Sequence, residues 1–362
     1  MIVVAKIGTS SITDDHGWID EPAIAKFCQD VAAVRAAGHQ VVIVTSGAIA
    51  AGLPALDFDH RPRDAVTLQA VSAVGQSRLM SVYDRELARH DLIGGQVLLA
   101  PLDFIIREQY LHARGTLSRL LELGVVPVVN ENDAIADDEI RFGDNDRLAA
   151  LVAHLVAADL LVLLTDMPGL LSADPRFDEN ASLIEEIIEV DQSLESLAGG
   201  AGSARGSGGM ASKLAAAKIA AWSGVRAIIG AAHRDGILVD AVAGTAGVGT
   251  VIRPRVDRLP ARKLWIAFAV GSSGTIVVDE GAKRALIERG VSLLPPGVVS
   301  VQGRFDTMAA VEIAGPDGAV FAKGLSRFDA TTLAAIAGKR TDALPEGAPH
   351  EVVHRDDLVV LP

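Results

Sequence analysis

Only one cysteine, Cys28, occurs in the chain, so no intrachain disulfide can form, and a lone thiol of this kind ordinarily serves as a small buried hydrophobe. Aromatic residues are scarce at 4% against 49% hydrophobic overall, so the core has to be built from Val, Ile, Leu and Ala. That composition suits a parallel sheet buried on both faces. No apolar run approaches the roughly 20 residues of a membrane span. The opening MIVVAKIGTS is too short in its apolar part, and wrongly flanked, for a secretory signal. The expectation is a soluble cytoplasmic protein with no membrane partner. Positive charge is in deficit, with a net of −13, which argues against nucleic acid or an anionic membrane as the main partner. A small phosphate ligand stays compatible with that balance, because a few lysines and backbone N–H groups can hold phosphates locally. The histidines show no metal-ligand spacing, and His154, alone on an apolar helix, reads as structural. A GxSxG hydrolase elbow is absent.

At 362 residues the chain is long enough for two domains, taking roughly 100–200 residues per domain. Through residue 252 short aliphatic runs alternate with amphipathic stretches. The runs 2–7, 40–45, 93–99, 125–129, 160–164 and 225–229 are strand-like, and most are continuous apolar runs instead of alternating ones, the pattern of strands covered on both faces. Helices are predicted over 22–37, 65–89, 110–123, 146–157 and 210–223, with Asp20 as an N-cap before Pro22. Alternation of this kind predicts right-handed crossovers and an α/β three-layer αβα sandwich on a mainly parallel sheet. An Arg/Pro-rich linker, 253–261, leads to a region, 262–362, of short strand-like pieces at 275–278, 298–301, 309–313, 320–324 and 351–353. These are separated by turns such as Pro295-Pro296-Gly297, with one helix at 281–289. This reads as a small β-barrel domain. The stretch 199–209, GGAGSARGSGG, is expected to be a mobile loop.

Sites on such sheets gather beyond the carboxyl ends of the strands. There the sequence places GTSS after the first run, SGAIAAG after the second, NEND after the fourth and TDMPGL after the fifth. Lys6 sits inside the first run, where a lysine is costly without an anionic partner, and Gly8-Thr9-Ser10 follows it. Phosphate contact is the sharper reading and a snorkelling side chain the alternative. Lys213 ends the stretch Gly206-Ser207-Gly208-Gly209-Met210-Ala211-Ser212-Lys213, in which a glycine-rich backbone enters a helix and presents N–H groups to an anion. The alternative there is a surface loop with a solvated lysine. No GxxxxGK[ST] occurs, and the formal fit to a dinucleotide fingerprint lacks its preceding strand. Asn130-Glu131-Asn132-Asp133 and Gly143-Asp144-Asn145-Asp146 form an acidic and amide cluster, able to coordinate ammonium groups or simply to cap helices. Thr165-Asp166 and Ser46-Gly47 occupy corresponding positions after their strands.

Taken together the segments resemble the glutamate 5-kinases of the amino acid kinase family. They are KIGTS (6–10), VIVTSGAIAAG (42–52), AVGQSRL (73–79), VPVVNENDA (126–134), FGDND (142–146), LLTDMPGL (163–170), ADPR (173–176) and SGGMASK (207–213). VDEGA (278–282), SLLPPGV (292–298) and VHRDD (353–357) resemble the PUA domain appended to many such kinases. The resemblance implies transfer of the ATP γ-phosphoryl group to the side-chain carboxylate of L-glutamate. Lys6 and Lys213 would stabilise the moving phosphoryl group and Asp146 would hold both lysines. Ser46, Asp133 and Asn145 would bind glutamate. ATP would be held by Lys6, Thr165, Asp166 and the loop Ser207, Gly208, Gly209, Met210, Ala211, Ser212 and Lys213, with Mg²⁺ on its phosphates. The resemblance further implies a homo-oligomer, feedback inhibition by L-proline and a glutamyl phosphate reductase acting next. Kinases of the same fold acting on acetylglutamate, aspartate, carbamate or UMP are the alternatives, and an RNA-associated role for the C-terminal region is a more distant one. Residues 262–362 carry 11 Lys plus Arg against 12 Asp plus Glu, a net of −1, which argues against RNA. Two departures from the pattern, KIG for KLG and SGGMASK for GTGGMxTK, remove no proposed phosphate contact.

Overall fold

The computed structural model describes residues 1–361 except 15, 105, 136–144, 177, 179, 199–208, 257, 270 and 341–348. The chain divides into two compact units, Met1–Arg258 and Leu259–Pro362.

In the first unit the strands are β1 (Ile2–Ile7), β2 (Gln40–Val44), β3 (Gly94–Leu99), β4 (Val126–Glu131), β5 (Leu160–Thr165), β6 (Glu186–Ile187), β7 (Arg226–Ala231) and β8 (Thr250–Ile252). The helices are α1 (Glu21–Ala36), α2 (Ala48–Gly52), α3 (Ala65–Ala88), α4 (Arg107–Glu122), α5 (Asn145–Leu155), α6 (Gln192–Ala198), α7 (Met210–Trp222) and α8 (Ile237–Ala243). One sheet runs β3-β4-β2-β1-β5-β7-β8-β6, parallel throughout except that β8 lies antiparallel to β7. The six apolar runs became β1 to β5 and β7 with ends shifted by a residue or two. The two short strands β6 and β8 carry too few residues to give a periodic signal. Asp20 caps α1, accepting from Ala23 N at 3.2 Å, with Pro22 in the first turn.

Side chains alternate along β1, and Val3, Ala5 and Ile7 all enter the core formed with Ile24, Phe27 and Val31 of α1 and Leu79 and Tyr83 of α3. Lys6 therefore projects from the other face, where α5 and α7 lie. The two helical layers thus follow from a period of two, and that period also decides which layer the lysine meets. Glycines allow α2 to lie directly on α3. A Cβ on Gly75 would sit 1.7 Å from Ala48 O, and one on Gly52 would sit 2.1 Å from Val71 O.

The second unit contains α9 (Ala261–Leu264), β9 (Gly274–Val278), α10 (Glu280–Arg289), β10 (Val298–Gly303), β11 (Ala310–Ala314), β12 (Val320–Leu325), α11 (Ala330–Ile336) and β13 (Leu358–Val360). Its five strands form a sheet in the order β10-β9-β11-β12-β13 around a core that includes Ile276, Val311, Ile313, Leu333 and Leu358. The strand expected at 351–353 is not there: Val353 makes only an isolated bridge to Leu293, and β13 is the strand that pairs with β12. Val352 and Val353 are fully buried, and burial by packing mimics a strand's apolar run. A 3₁₀ turn at Arg355–Asp357 separates them from β13.

Candidate active site

Lys6, one residue before the end of β1, Asp146, in the first turn of α5, and Lys213, in the first turn of α7, converge at the carboxyl end of the sheet. Lys6 Nζ lies 2.6 Å from Asp146 Oδ1 and Lys213 Nζ 3.2 Å from Asp146 Oδ2. All three are buried: Lys6 is 4% exposed, Lys213 6% and Asp146 0%. Ser212 Oγ is 2.9 Å from both Asp146 Oδ2 and Gly209 O and shares its proton between them. Burial alone would push the Asp146 carboxyl up, yet the Lys6 and Lys213 ammonium groups, with the Ser212 hydroxyl, outweigh it and hold the carboxyl below the usual carboxylate range. Two cations around one anion leave an excess positive charge in a low-dielectric pocket. Such a site is incomplete without a further anion. Gly8 follows closely; a Cβ there would stand 3.3 Å from Lys6 Nζ.

The solvated lysine set beside the phosphate reading is not what the structure contains. Lys213 belongs to a packed helix that lies against α5, and Asp146 claims its ammonium group. A cavity of about 300 Å³ opens beside it. Thr165, Asp166, Gly209, Met210 and Lys213 line it, together with Ser10 of the Gly8-Thr9-Ser10 turn that follows Lys6. Leu170, Leu171, Leu197 and Ala198 contribute apolar lining, and Asp174 and Arg176 contribute charged lining. A cavity lined by aliphatic side chains and by the Lys213 ammonium group fits a base joined to phosphates. Thr165 Oγ1 donates to Asp166 Oδ1 at 2.9 Å. Ala211 is exposed in the first turn of α7 and does not line the cavity. Ser207 and Gly208 lie outside the described residues.

A polar network occupies the ends of β1, β2 and β4. Ser46 Oγ accepts from Thr9 Oγ1 at 3.0 Å, and Gly47 after it turns the chain into α2 with φ 96°, a left-handed conformation that glycine adopts without strain. Asn145 Nδ2 donates to Thr45 O and, at 2.7 Å, to Asn130 Oδ1. Asp133 Oδ2 accepts from Ser72 Oγ of α3 at 2.6 Å. Ser46, Asn145 and Asp133 thus belong to the cluster around the ends of β2 and β4, while Lys6, Asp146 and Lys213 form the ion triad. Asn145 and Asp146 are consecutive residues, so the first turn of α5 joins the two groups. Thr45, Ser72, Gln76 and Asn130 escaped assignment from sequence. The signal that could have found Ser72 and Gln76 is their i, i+4 spacing among the apolar residues on the buried face of α3.

The chain matches the amino acid kinase family over residues 1–231 and the PUA domain over residues 274–347. It is 44% identical to the glutamate 5-kinase of Pelobacter propionicus, across 99% of this chain and 97% of that protein. The glutamate 5-kinase of Burkholderia ambifaria gives the same identity and the same shares. Carbamate kinase from Giardia lamblia, solved with AMP-PNP, aligns with TM-score 0.49 and 16% identity over 70% of this chain and 98% of that one. The chain belongs to the amino acid kinase family and carries a PUA domain after its kinase unit.

Proposed function

We propose that this protein transfers the γ-phosphoryl group of ATP to the side-chain carboxylate of L-glutamate, giving L-glutamyl 5-phosphate and ADP and opening proline synthesis. The observation that carries the reading is the buried Lys6–Asp146–Lys213 triad, cationic overall, whose Lys213 lines a cavity with both apolar and polar walls. A carboxylate oxygen attacks the γ-phosphorus, the bond to the β,γ-bridging oxygen breaks, and ADP leaves. The protein's task in such a transfer is alignment and neutralisation of the charge spread over the phosphoryl oxygens. Lys6 and Lys213 supply the positive charge, Asp146 keeps both ammonium groups aimed, and no side chain needs to exchange a proton. Ser46, Asp133 and Asn145 bind the acceptor, with Asp133 toward its ammonium group. Thr165, Asp166 and the 207–213 segment bind ATP. Mg²⁺ would be carried by the ATP phosphates and would add its positive charge to that of Lys6 and Lys213.

The relatedness to glutamate 5-kinases at 44% identity over nearly the whole chain supports glutamate over the acceptors of other kinases with this fold. The same kinship motivates the subsidiary readings: a cytoplasmic homo-oligomer, inhibition by L-proline at or near the acceptor site, and a reductase that consumes the labile acyl phosphate. Among the described residues no helix is long and apolar enough to cross a membrane.

The test is ADP release with Mg-ATP and glutamate, aspartate, acetylglutamate, carbamate or UMP, with hydroxylamine present to trap an acyl phosphate. Glutamate-dependent hydroxamate, suppressed by proline, is the expected result. Turnover with only another acceptor would keep the roles of the lysines and overturn the choice of substrate.

A further inference from the structure

Gln76, on α3, is 8% exposed, and its two amide atoms differ in their surroundings. Its Oε1 accepts from Asn130 Nδ2 at 2.7 Å. Its Nε2 is fully buried with no hydrogen-bond partner. The orientation of the amide follows from the groups around it. Asn130 Oδ1 is already taken by Asn145 Nδ2 at 2.7 Å and by Glu131 N at 2.9 Å, both donors. Asn130 must therefore turn its Nδ2 toward Gln76, and Gln76 must answer with its oxygen. Nε2 is left as a donor with two protons and no protein acceptor. Leaving such a group unpaired is costly, so a buried orphan amide marks a place where something else binds.

Its position says what that is. Ser72, one turn before Gln76 on the same face of α3, holds Asp133, which the acceptor reading assigns to the amino-acid head group, and Gln76 holds Asn130 at the end of β4. Asp133, as an anion, suits the ammonium group. A neutral donor beside it suits the α-carboxylate. The reacting side-chain carboxylate belongs at the other end of the acceptor, by the lysine triad.

Resting on the glutamate reading above, we propose that Gln76 is a substrate-binding residue whose Nε2 donates to the α-carboxylate of the acceptor, while its Oε1 locks Asn130 and, through it, Asn145. The segment carrying it, AVGQSRL, was part of the sequence pattern but had been given no role.

The test compares Gln76→Met and Gln76→Glu with the wild type in the hydroxamate assay, after thermal melts establish that both variants fold. Met has nearly the same shape and lacks both polar atoms. Glu keeps the oxygen that Asn130 needs and replaces the donor with an acceptor. The expectation is that Gln76→Met raises KM for glutamate roughly 10- to 100-fold, as loss of a hydrogen bond to a charged group does. Gln76→Glu should raise it further, and both variants should keep the wild-type KM for ATP. If Glu restores glutamate KM while Met impairs it, the residue only orients Asn130 and the proposal fails. It fails equally if Met leaves glutamate KM untouched, or if ATP KM rises in step. A wild type without glutamate-dependent hydroxamate would sink the substrate reading itself, an outcome distinct from all of these.

Discussion

Lys6 on β1 and Asp146 on α5 meet at 2.6 Å, with the lysine side chain 5% and the aspartate side chain 0% exposed. A single carboxylate, shared with Lys213, makes it tolerable to keep two ammonium groups out of water. Removing that carboxylate leaves two like charges buried together. Asp146→Asn, which preserves shape, is expected to destabilise the kinase unit by about 3–5 kcal/mol and to lower turnover by at least about 100-fold. Thermal melts and steady-state kinetics measure the two effects. Because the folded carboxyl lies below its unfolded value, its contribution is present above about pH 4 and is lost only as pH falls through the lower, folded range. The melting gap between wild type and variant should thus stay constant from pH 8 to pH 5. A gap that closes near neutrality would contradict the triad.

Lys213 aims one end of the triad at the cavity. Lys213→Met keeps the apolar stem and deletes the charge, and should reduce kcat roughly 100- to 1,000-fold, the range for one preorganised group at a developing charge. Its burial adds a second consequence that a solvated loop would not show, since half of the Asp146 pairing is lost and the melting temperature should fall as well. A near-normal kcat removes Lys213 from the mechanism.

Asp133 and Ser72 form a linked pair at 2.6 Å on the acceptor side. Asp133→Ala should raise the KM for glutamate by roughly 100-fold, as loss of a charged partner does, with ATP KM unchanged. Ser72→Ala removes only the hydroxyl that orients the carboxylate, and an effect of about fivefold on the same constant is expected. Equal effects on ATP would mean that the site is divided differently.

His154 is half-buried on α5, and burial pushes its imidazole below the usual range, helped by the cations Arg114 and Arg258. The folded state thus resists protonation that the unfolded chain accepts. Stability from this source is full above about pH 6.5 and is lost as pH falls below it. The wild type should lose more melting temperature between pH 7.5 and pH 5.5 than His154→Gln does. Parallel curves would show that this histidine does not contribute to the acid sensitivity.

Much of the frame could be read directly from the chain. Mostly aliphatic runs marked six strands, because a strand buried on both faces, such as β4 or β5, leaves a nearly unbroken apolar signature. The switch-point rule placed Ser46, Asp133 and Thr165 on one edge, and Asn145 and Asp146 stood out as polar residues at a helix start. Elements of two or three residues, β6 and β8, left no comparable trace, since their pairing rests on neighbours brought close by the fold. The apparent strand at 351–353 misled for the opposite reason: two buried valines look alike whether a ladder or plain packing buries them.

Residue types and their order thus determined the class of fold, the face that carries the site and the residues eligible for it. Tertiary structure decided which of them act together. That Asp146 stands between Lys6 and Lys213 came from the sequence only as an implication of the resemblance, because that contact depends on Lys6 projecting from β1 toward the α5 and α7 layer. Nothing in the chain's order shows that Lys213 is buried, or that Ser72 and Gln76 reach the end of β4 from a helix whose local sequence explains only its packing. Local sequence sets propensity and periodicity over a few residues. Charge compensation and hydrogen-bond polarity are settled only among groups that folding brings within about 3 Å of one another.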